Sequence, residues 1–127
     1  IIKKIHLAMI NKKKDIQLLG TGKAKRELIF VEDLADAVVY FMKKKTKHHL
    51  INIGTGKDLS IKQYAEFVIK SLGINLKIKF DKKSPDGTPR KVLDTRLAKM
   101  YGWSSKTNLS EGFFKTYENF LKKENFE

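Results

Sequence analysis

SIKQYAEFVIKSLG, residues 60–73, is the stretch that decides the fold. From Ile61 onward, its apolar residues recur at the i, i+3, i+4, i+7, i+8 and i+11 positions, the spacing of one face of an α-helix. Ser60 and Gln63 form a capping box that starts this helix, and Gly73 ends it. The pattern predicts a helix that buries one face against a neighbouring layer.

Short apolar runs on both sides of this helix predict strands. They cover residues 16–19, 28–31, 50–53 and 76–80. Apolar spacing and capping residues predict further helices at residues 1–10, from Glu32, after a cap at Asp94 and after a cap at Ser110. Strands that alternate with helices indicate α/β layers. We therefore expect an α/β fold, a small sheet with packed helices, in one domain over residues 1–127.

The composition is that of a folded globular protein. The 127 residues are 41% apolar and 32% charged, include no cysteine and carry a formal net charge of +13. There is no apolar run of membrane-spanning length and no signal-peptide pattern. The lack of cysteine excludes disulfides and is compatible with the cytoplasm. The positive charge points first to nucleic acid. Only three of the 27 basic residues are arginine, however, and the lysines are spread along the chain, so nucleic acid is the second choice.

The loop KSPDGTPRK, residues 83–91, is the first candidate binding site. Proline, Asp86 and glycine are turn residues, and the second proline pushes the preceding threonine to an extended conformation. The loop presents Asp86 and then two adjacent cations, Arg90 and Lys91. A stiff loop loses little ordering entropy when it binds an anionic, polar ligand. A well-made turn between a strand and a helix is the alternative.

Arg26 and Lys4 are two further candidates. Arg26 lies between a turn at Gly22 and an apolar run, where a held guanidinium can fork onto a diphosphate; an ordinary surface arginine is the alternative. Lys4 and His6 share the first helix and are most simply its solvated face.

The two Gly-Thr-Gly turns lack the G-x-G-x-x-G spacing of a dinucleotide loop, which predicts plain turns. The histidines do not occur with other potential metal ligands at the spacing of a metal site. No Ser/His/Asp or other catalytic arrangement can be assigned.

Three motifs resemble one enzyme family. GTGKAKRELIFVEDLADA, residues 20–37, and NIGTG, residues 52–56, resemble the segment that follows the catalytic domain in extended short-chain dehydrogenases acting on nucleotide sugars. FDKKSPDGTPRKVLD, residues 80–94, narrows the resemblance to the GDP-L-fucose synthase group. Gly102-Trp103 and the final helix complete it, so that the resemblance covers essentially the whole chain.

The resemblance implies a function for the parent protein. The chain would be the C-terminal substrate-binding part of an NADP-dependent GDP-4-keto-6-deoxymannose 3,5-epimerase/4-reductase, without the Rossmann domain. In that family the NADP site and the catalytic residues lie in the half that this sequence does not include. The chain alone is therefore expected to bind a GDP-sugar, to bind no cofactor and to be inactive.

The resemblance also implies site residues. Lys4 falls where a basic side chain contacts the nucleotide sugar, and Arg26 matches the arginine that grips its diphosphate. Asp86 matches a substrate-contacting position. Arg90 or Lys91 would add positive charge nearby. These positions coincide with the three candidate sites found from the residues alone.

Leu19 departs from the family pattern and leaves the sugar open. The GDP-fucose enzymes usually have Trp just before Gly-Thr-Gly, and losing that flat face should alter contact with a ring of the ligand. A GDP-heptose or another GDP-deoxyhexose is the alternative substrate. From a different class, a small basic nucleic-acid-binding module is the alternative function.

The first residues suggest a fragment. The chain starts at Ile1 rather than Met, in a helical pattern with no N-cap before it. We expect surfaces along Ile1, Ile2 and Ile5, which would pack on the Rossmann domain, to be apolar and partly exposed. Such surfaces should cause self-association.

Overall fold

A computed structural model describes residues 1–124 as five helices and five strands. The helices are α1 (Ile2–Ile10), α2 (Val31–Lys43), α3 (Ile61–Ser71), α4 (Arg96–Met100) and α5 (Leu109–Glu124). The strands are β1 (Asp15–Leu19), β2 (Lys25–Glu27), β3 (Asp58–Ser60), β4 (Lys77–Asp81) and β5 (Arg90–Lys91). The predicted α/β class is confirmed. Over these residues the strands form two small sheets, β1-β4 and β3-β2-β5, rather than one.

The chain divides into two compact units. The first unit consists of Ile1–Arg26 and Leu59–Lys91, and the second consists of Glu27–Asp58 and the chain from Val92 onward. Both units are discontinuous in sequence. The assignment of one domain to residues 1–127 stays a prediction.

The first unit packs two helices with a parallel pair of strands. β1 pairs with β4 in parallel, with Ile16 opposite Ile78. Ile5 of α1, Ile16 of β1 and Ala65 of α3 are all buried. The expectation that Ile5 is partly exposed is therefore wrong, because this side chain is 0% exposed, whereas Ile1 is 41% exposed.

The capping box of α3 is confirmed. The Ser60 hydroxyl accepts a hydrogen bond from the Gln63 backbone N–H at 3.1 Å, and the Gln63 side-chain oxygen accepts one from the Ser60 N–H at 2.8 Å. Gly73 follows the helix with a φ of +63°. This helix begins and ends where the sequence predicts.

The second unit is centred on Trp103. Its indole is buried with Ala37 of α2 and Ala98 of α4, and its N–H donates to Asp36 at 3.0 Å. Asp33 is buried and accepts from the Thr107 N–H at 2.9 Å and from the Thr107 hydroxyl at 3.0 Å. The DLADA motif therefore has a structural role, since its acids hold the segment that precedes α5.

Two predicted strands are wrong. Residues 28–31 form no strand, because Phe30 is the N-cap of α2 and Val31 is already helical. Residues 50–53 form none either, because Ile51 and Ile53 pack against the Trp103 cluster instead of pairing with a strand. In these two runs, Ile29, Ile51 and Ile53 are apolar because they pack against the Trp103 cluster, not because they belong to a hydrogen-bonded ladder.

Two predicted caps are displaced. The N-cap of α4 is Thr95 rather than Asp94, although the Asp94 carboxylate accepts from the Arg96 N–H at 3.0 Å. At the start of α5, the Asn108 side chain accepts from the Glu111 N–H at 3.0 Å, and Ser110 already lies within the helix. Among residues 1–124, no helix is both long enough and apolar enough to cross a bilayer.

Candidate functional site

Arg26 is held in place at both its backbone and its side chain. It lies in the middle of β2, and its carbonyl accepts a hydrogen bond from the Tyr64 hydroxyl of α3 at 2.9 Å. Its Nη1 donates to the carbonyls of Lys25 at 2.6 Å and Thr88 at 2.7 Å. Within residues 1–124, its Nε and Nη2 make no hydrogen bond. These donors form one edge of the planar guanidinium, which is the edge that an anion can accept from in a two-point contact.

The register of β2 and β5 places Arg90 and Lys91, the two cations at the end of the 83–91 loop, on opposite faces of the sheet. Arg26 pairs with Lys91, and Lys25 pairs with Arg90. Residues paired in register on neighbouring strands lie about 5 Å apart and point to the same face. Lys91 therefore adds its charge on the face of Arg26, whereas Arg90 lies on the opposite face with Lys25.

Asp86 lies in the loop between β4 and β5 and contacts the first Gly-Thr-Gly turn. One carboxylate oxygen accepts from the Thr21 backbone N–H at 2.6 Å, and the other accepts from the Thr21 hydroxyl. These hydrogen bonds, the hydroxyl one first, hold the pKa of Asp86 below its usual value, and the charges of Lys23 and Arg26 act in the same direction. Asp86 is therefore a carboxylate at neutral pH.

Arg26 and Asp86 lie at the same corner of the first unit. The guanidinium contacts the carbonyl of Thr88, two residues beyond Asp86. A Cβ added to Gly87 would come within 3.8 Å of Nη2 of Arg26. We call Thr21, Arg26, Asp86 and Thr88 the Arg26 corner. Sequence reasoning placed Arg26 and Asp86 in the site and missed the role of Thr21.

The second Gly-Thr-Gly turn repeats the arrangement with a different acid. The Glu27 carboxylate accepts from the Thr55 hydroxyl at 3.1 Å and the Gly56 N–H at 2.6 Å on one oxygen, and from the Leu93 N–H at 2.8 Å on the other. Each turn therefore receives one distant carboxylate. The recurrence of Gly-Thr-Gly was the sequence signal for this feature, which the prediction of plain turns overlooked.

Lys4 of α1 contacts β1, and Leu19 is the last residue of that strand. The Lys4 ammonium donates to the Gln17 carbonyl at 3.2 Å. Leu19 follows Gln17 by two residues, or about 7 Å along an extended strand. Leu19 is 66% exposed and ends β1 immediately before the Gly-Thr-Gly turn. Both residues thus belong to the same unit as the Arg26 corner.

An open cavity of about 880 Å³ lies beside the turn and touches the corner only at Thr21. Phe80 and Ile78 of β4 line it together with residues of α3, and neither Arg26 nor Asp86 does. Among residues 1–124, no group of three or more acidic or histidine side chains could hold a metal ion. Thr21, Arg26 and Asp86 of the corner are half-buried, and together they present the Nε and Nη2 edge of a guanidinium beside a carboxylate.

Comparisons with known proteins identify the relatives of this chain. The model of the NAD dependent epimerase/dehydratase family matches residues 1–54. GDP-L-fucose synthase 1 of Arabidopsis thaliana is 35% identical over 122 residues, which are 96% of this chain and 38% of the relative. The predicted resemblance to the GDP-L-fucose synthase group is confirmed.

The names of other similar proteins refer to different sugars. GDP-L-colitose synthase of Yersinia pseudotuberculosis is 38% identical and covers 98% of this chain and 41% of its own length. The solved structure of a GDP-mannoheptose C4 reductase from Campylobacter jejuni, with NADP bound, matches with a TM-score of 0.79 and 31% identity. It covers 94% of this chain and 43% of its own. The chain thus spans about two fifths of the length of these epimerase/dehydratase family relatives.

Proposed function

We propose that this chain is the GDP-sugar-binding part of an NADP-dependent epimerase/reductase similar to GDP-L-fucose synthase. The observation that carries the proposal is the geometry of Arg26. Two carbonyls fix one end of its guanidinium, and the remaining donors are available to an anion. A preorganised arginine loses less freedom on binding than a mobile one.

Each residue of the proposed site contributes to binding of the GDP-sugar. The Nε and Nη2 edge of Arg26 donates to the diphosphate, because a guanidinium matches phosphate oxygens in a two-point contact. Lys91, on the same face, supplies a second positive charge, and Lys4 contacts the nucleotide sugar from α1. Arg90 adds to the positive field from the other face of the sheet. Asp86 keeps further lone pairs, beyond those that Thr21 engages, for a sugar hydroxyl.

Catalysis belongs to residues outside this chain. In the parent, bound NADPH supplies the hydride that reduces the C4 carbonyl of the epimerised ketosugar. The chain has no G-x-G-x-x-G loop to hold a dinucleotide, so its own residues bind and orient the GDP-sugar and carry out no step of hydride transfer. A Rossmann domain in the parent would supply the cofactor site, and the chain alone is then inactive. We place the parent in the cytoplasm.

The sugar is a GDP-4-keto-sugar, with 4-keto-6-deoxymannose as the first choice and a heptose or another deoxyhexose as the second. Leu19 is a reason to retain the heptose or other deoxyhexose as a substrate, because an exposed aliphatic side chain gives a ring of the ligand less contact than an indole. The names of the colitose synthase and the heptose reductase support the same alternative.

A titration with nucleotides tests the proposal. Calorimetry with GDP, UDP and ADP should show a preference for GDP. Arg26→Ala should weaken GDP binding about 10- to 100-fold, because charge-assisted hydrogen bonds contribute about 1.5–3 kcal/mol. The matched control is Arg96→Ala, which removes the same charge from an arginine that is paired with Asp94 at 2.6 Å. The control should bind GDP like the wild type.

A mixed-sequence oligonucleotide at low and moderate salt distinguishes the nucleic-acid alternative. Tight oligonucleotide binding that falls steeply with salt, together with no response to GDP, would overturn the proposal. An equal loss of GDP binding in the Arg26 and Arg96 variants would also count against it, because it would indicate a general charge effect.

Self-association is a further part of the proposal. On α2, Val31 is 69% exposed, Val38 54% and Met42 80%. Apolar residues that recur on one helix and stay exposed favour contact with another protein surface. Light scattering at increasing concentration should show species larger than a monomer, and a constant monomeric mass would contradict this expectation.

A further inference from the structure

The contact between the first Gly-Thr-Gly turn and Asp86 joins residues that are 65 positions apart. Gly20 and Gly22 both have positive φ, at +79° and +75°. A Cβ on Gly20 would collide with the Asp86 carboxylate. Glycine at this position therefore allows the carboxylate to approach the backbone N–H of Thr21 closely.

The same loop fixes the guanidinium. Thr88 follows Asp86 by two residues, and its carbonyl accepts the Arg26 hydrogen bond at 2.7 Å. The neighbouring Pro89 carbonyl accepts from the Lys25 N–H at 2.8 Å. A shift of Asp86 would therefore move the acceptor that orients the Arg26 side chain.

We infer that Thr21 is a positioning residue for the ligand: its hydroxyl and N–H hold Asp86 so that the Thr88 carbonyl sets the guanidinium of Arg26 for a diphosphate. The inference rests on the proposed function and adds a residue to it. Thr21 acts through the loop and need not touch the ligand. Its hydroxyl should therefore affect affinity for a diphosphate only while Arg26 is present.

A double-mutant cycle tests this coupling. Thr21→Val keeps the size of the side chain but removes the hydroxyl donor, and it should weaken GDP binding about tenfold. In the Arg26→Ala background, Thr21→Val should cause no further loss. Thr21→Ser, which keeps the hydroxyl, should restore affinity to within about twofold of the wild type. A purely structural role predicts equal loss in both backgrounds, and that result would overturn the inference.

The matched control is Thr55→Val in the second Gly-Thr-Gly turn. It removes a threonine hydroxyl that also donates to a carboxylate, that of Glu27. Circular dichroism should show the wild-type fold in both valine variants. GDP affinity should stay within about twofold of the wild type for Thr55→Val, because its acid partner, Glu27, does not lie in the Asp86 loop whose Thr88 carbonyl holds the guanidinium. A loss equal to that of Thr21→Val would contradict the inference.

A measurement without ligand separates this inference from the proposed function. The two Nη groups of Arg26 should give separate nitrogen signals in NMR, because two carbonyls hold one of them and slow rotation of the guanidinium. In Thr21→Val the signals should merge, and in Thr55→Val they should stay separate. Unchanged signals in Thr21→Val would refute the positioning role whether or not GDP binds. If the two Nη signals of Arg26 are separate in the wild type but the chain shows no response to GDP, the proposed function is refuted and the positioning role of Thr21 is not.

Discussion

Gly22→Ala tests whether the turn that carries Thr21 is packed as described. Gly22 is buried with a φ of +75°, and an added Cβ would collide with the ring of Phe80. Its carbonyl also accepts from the Lys62 N–H at 3.0 Å, so the turn lies against the start of α3. Alanine at this position must bear a left-handed backbone and displace an aromatic ring.

The matched control is Gly73→Ala. Gly73 has a similar φ of +63°, but no atom lies within 4 Å of an added Cβ. The left-handed backbone alone costs an L-residue about 1–2 kcal/mol. Overpacking by a methyl group adds about 1–3 kcal/mol. We therefore expect a loss of about 1–2 kcal/mol for Gly73→Ala and about 2–5 kcal/mol for Gly22→Ala.

Urea unfolding followed by circular dichroism measures both losses. With an m-value of about 2 kcal/mol/M, the midpoint should fall by about 0.5–1 M for Gly73→Ala and about 1–2.5 M for Gly22→Ala. Equal shifts in the two variants would refute the reasoning, because they would show that Phe80 does not close over the turn.

Three further predictions address contacts within the first unit or within the second unit. A carbon-13 NMR titration should place the pKa of Asp86 below the usual carboxyl value, and Thr21→Val should return it towards that value. Because this pKa is depressed, the contact stabilises the fold above about pH 4, and its contribution is lost as pH falls through the folded-state pKa; an unchanged pKa in the variant would contradict this cause. Ser60→Ala should cost about 1 kcal/mol in urea unfolding, whereas Ser60→Thr should cost less, because threonine still caps the helix. Ala37→Leu should cost about 1–3 kcal/mol by overpacking the Trp103 cluster, whereas Val39→Leu on the exposed side of the same helix should be close to neutral in the same assay.

Sequence reasoning found the elements whose patterns are long. α1 and α3 carry several helical repeats, and β4 carries a clear alternation over residues 76–80. It failed for β2, β3 and β5, which are only two or three residues long. So short a strand carries no period, and its pairing partner rather than its own sequence determines where it lies.

The buried face of α2 was predicted in part. The apolar spacing predicts a face made of Leu34, Ala37, Val38, Phe41 and Met42. Ala37 is buried and Phe41 packs against the Trp103 cluster, as expected, whereas Leu34, Val38 and Met42 are 41%, 54% and 80% exposed. Hydrophobic spacing identifies an apolar stripe, but it does not say whether this chain or another surface covers it.

Part of the candidate site was accessible from the sequence and part was not. Arg26 and Asp86 stood out because an arginine followed a glycine turn and an acid lay in a stiff loop. Thr21 could not be found, because its partner is 65 residues away and only the fold joins them. Likewise, only the strand register shows that Lys91 and Arg90 point to opposite faces.

Nitrogen NMR of the arginine side chains during a titration with GDP is the most direct measurement of the central claim. We predict that the Nε signal of Arg26 shifts in proportion to bound GDP, that inorganic pyrophosphate causes a smaller shift of the same kind, and that the Arg96 signal stays still. Equal movement of all three arginine signals, or movement with the oligonucleotide and none with GDP, would contradict the claim that Arg26 is a diphosphate site.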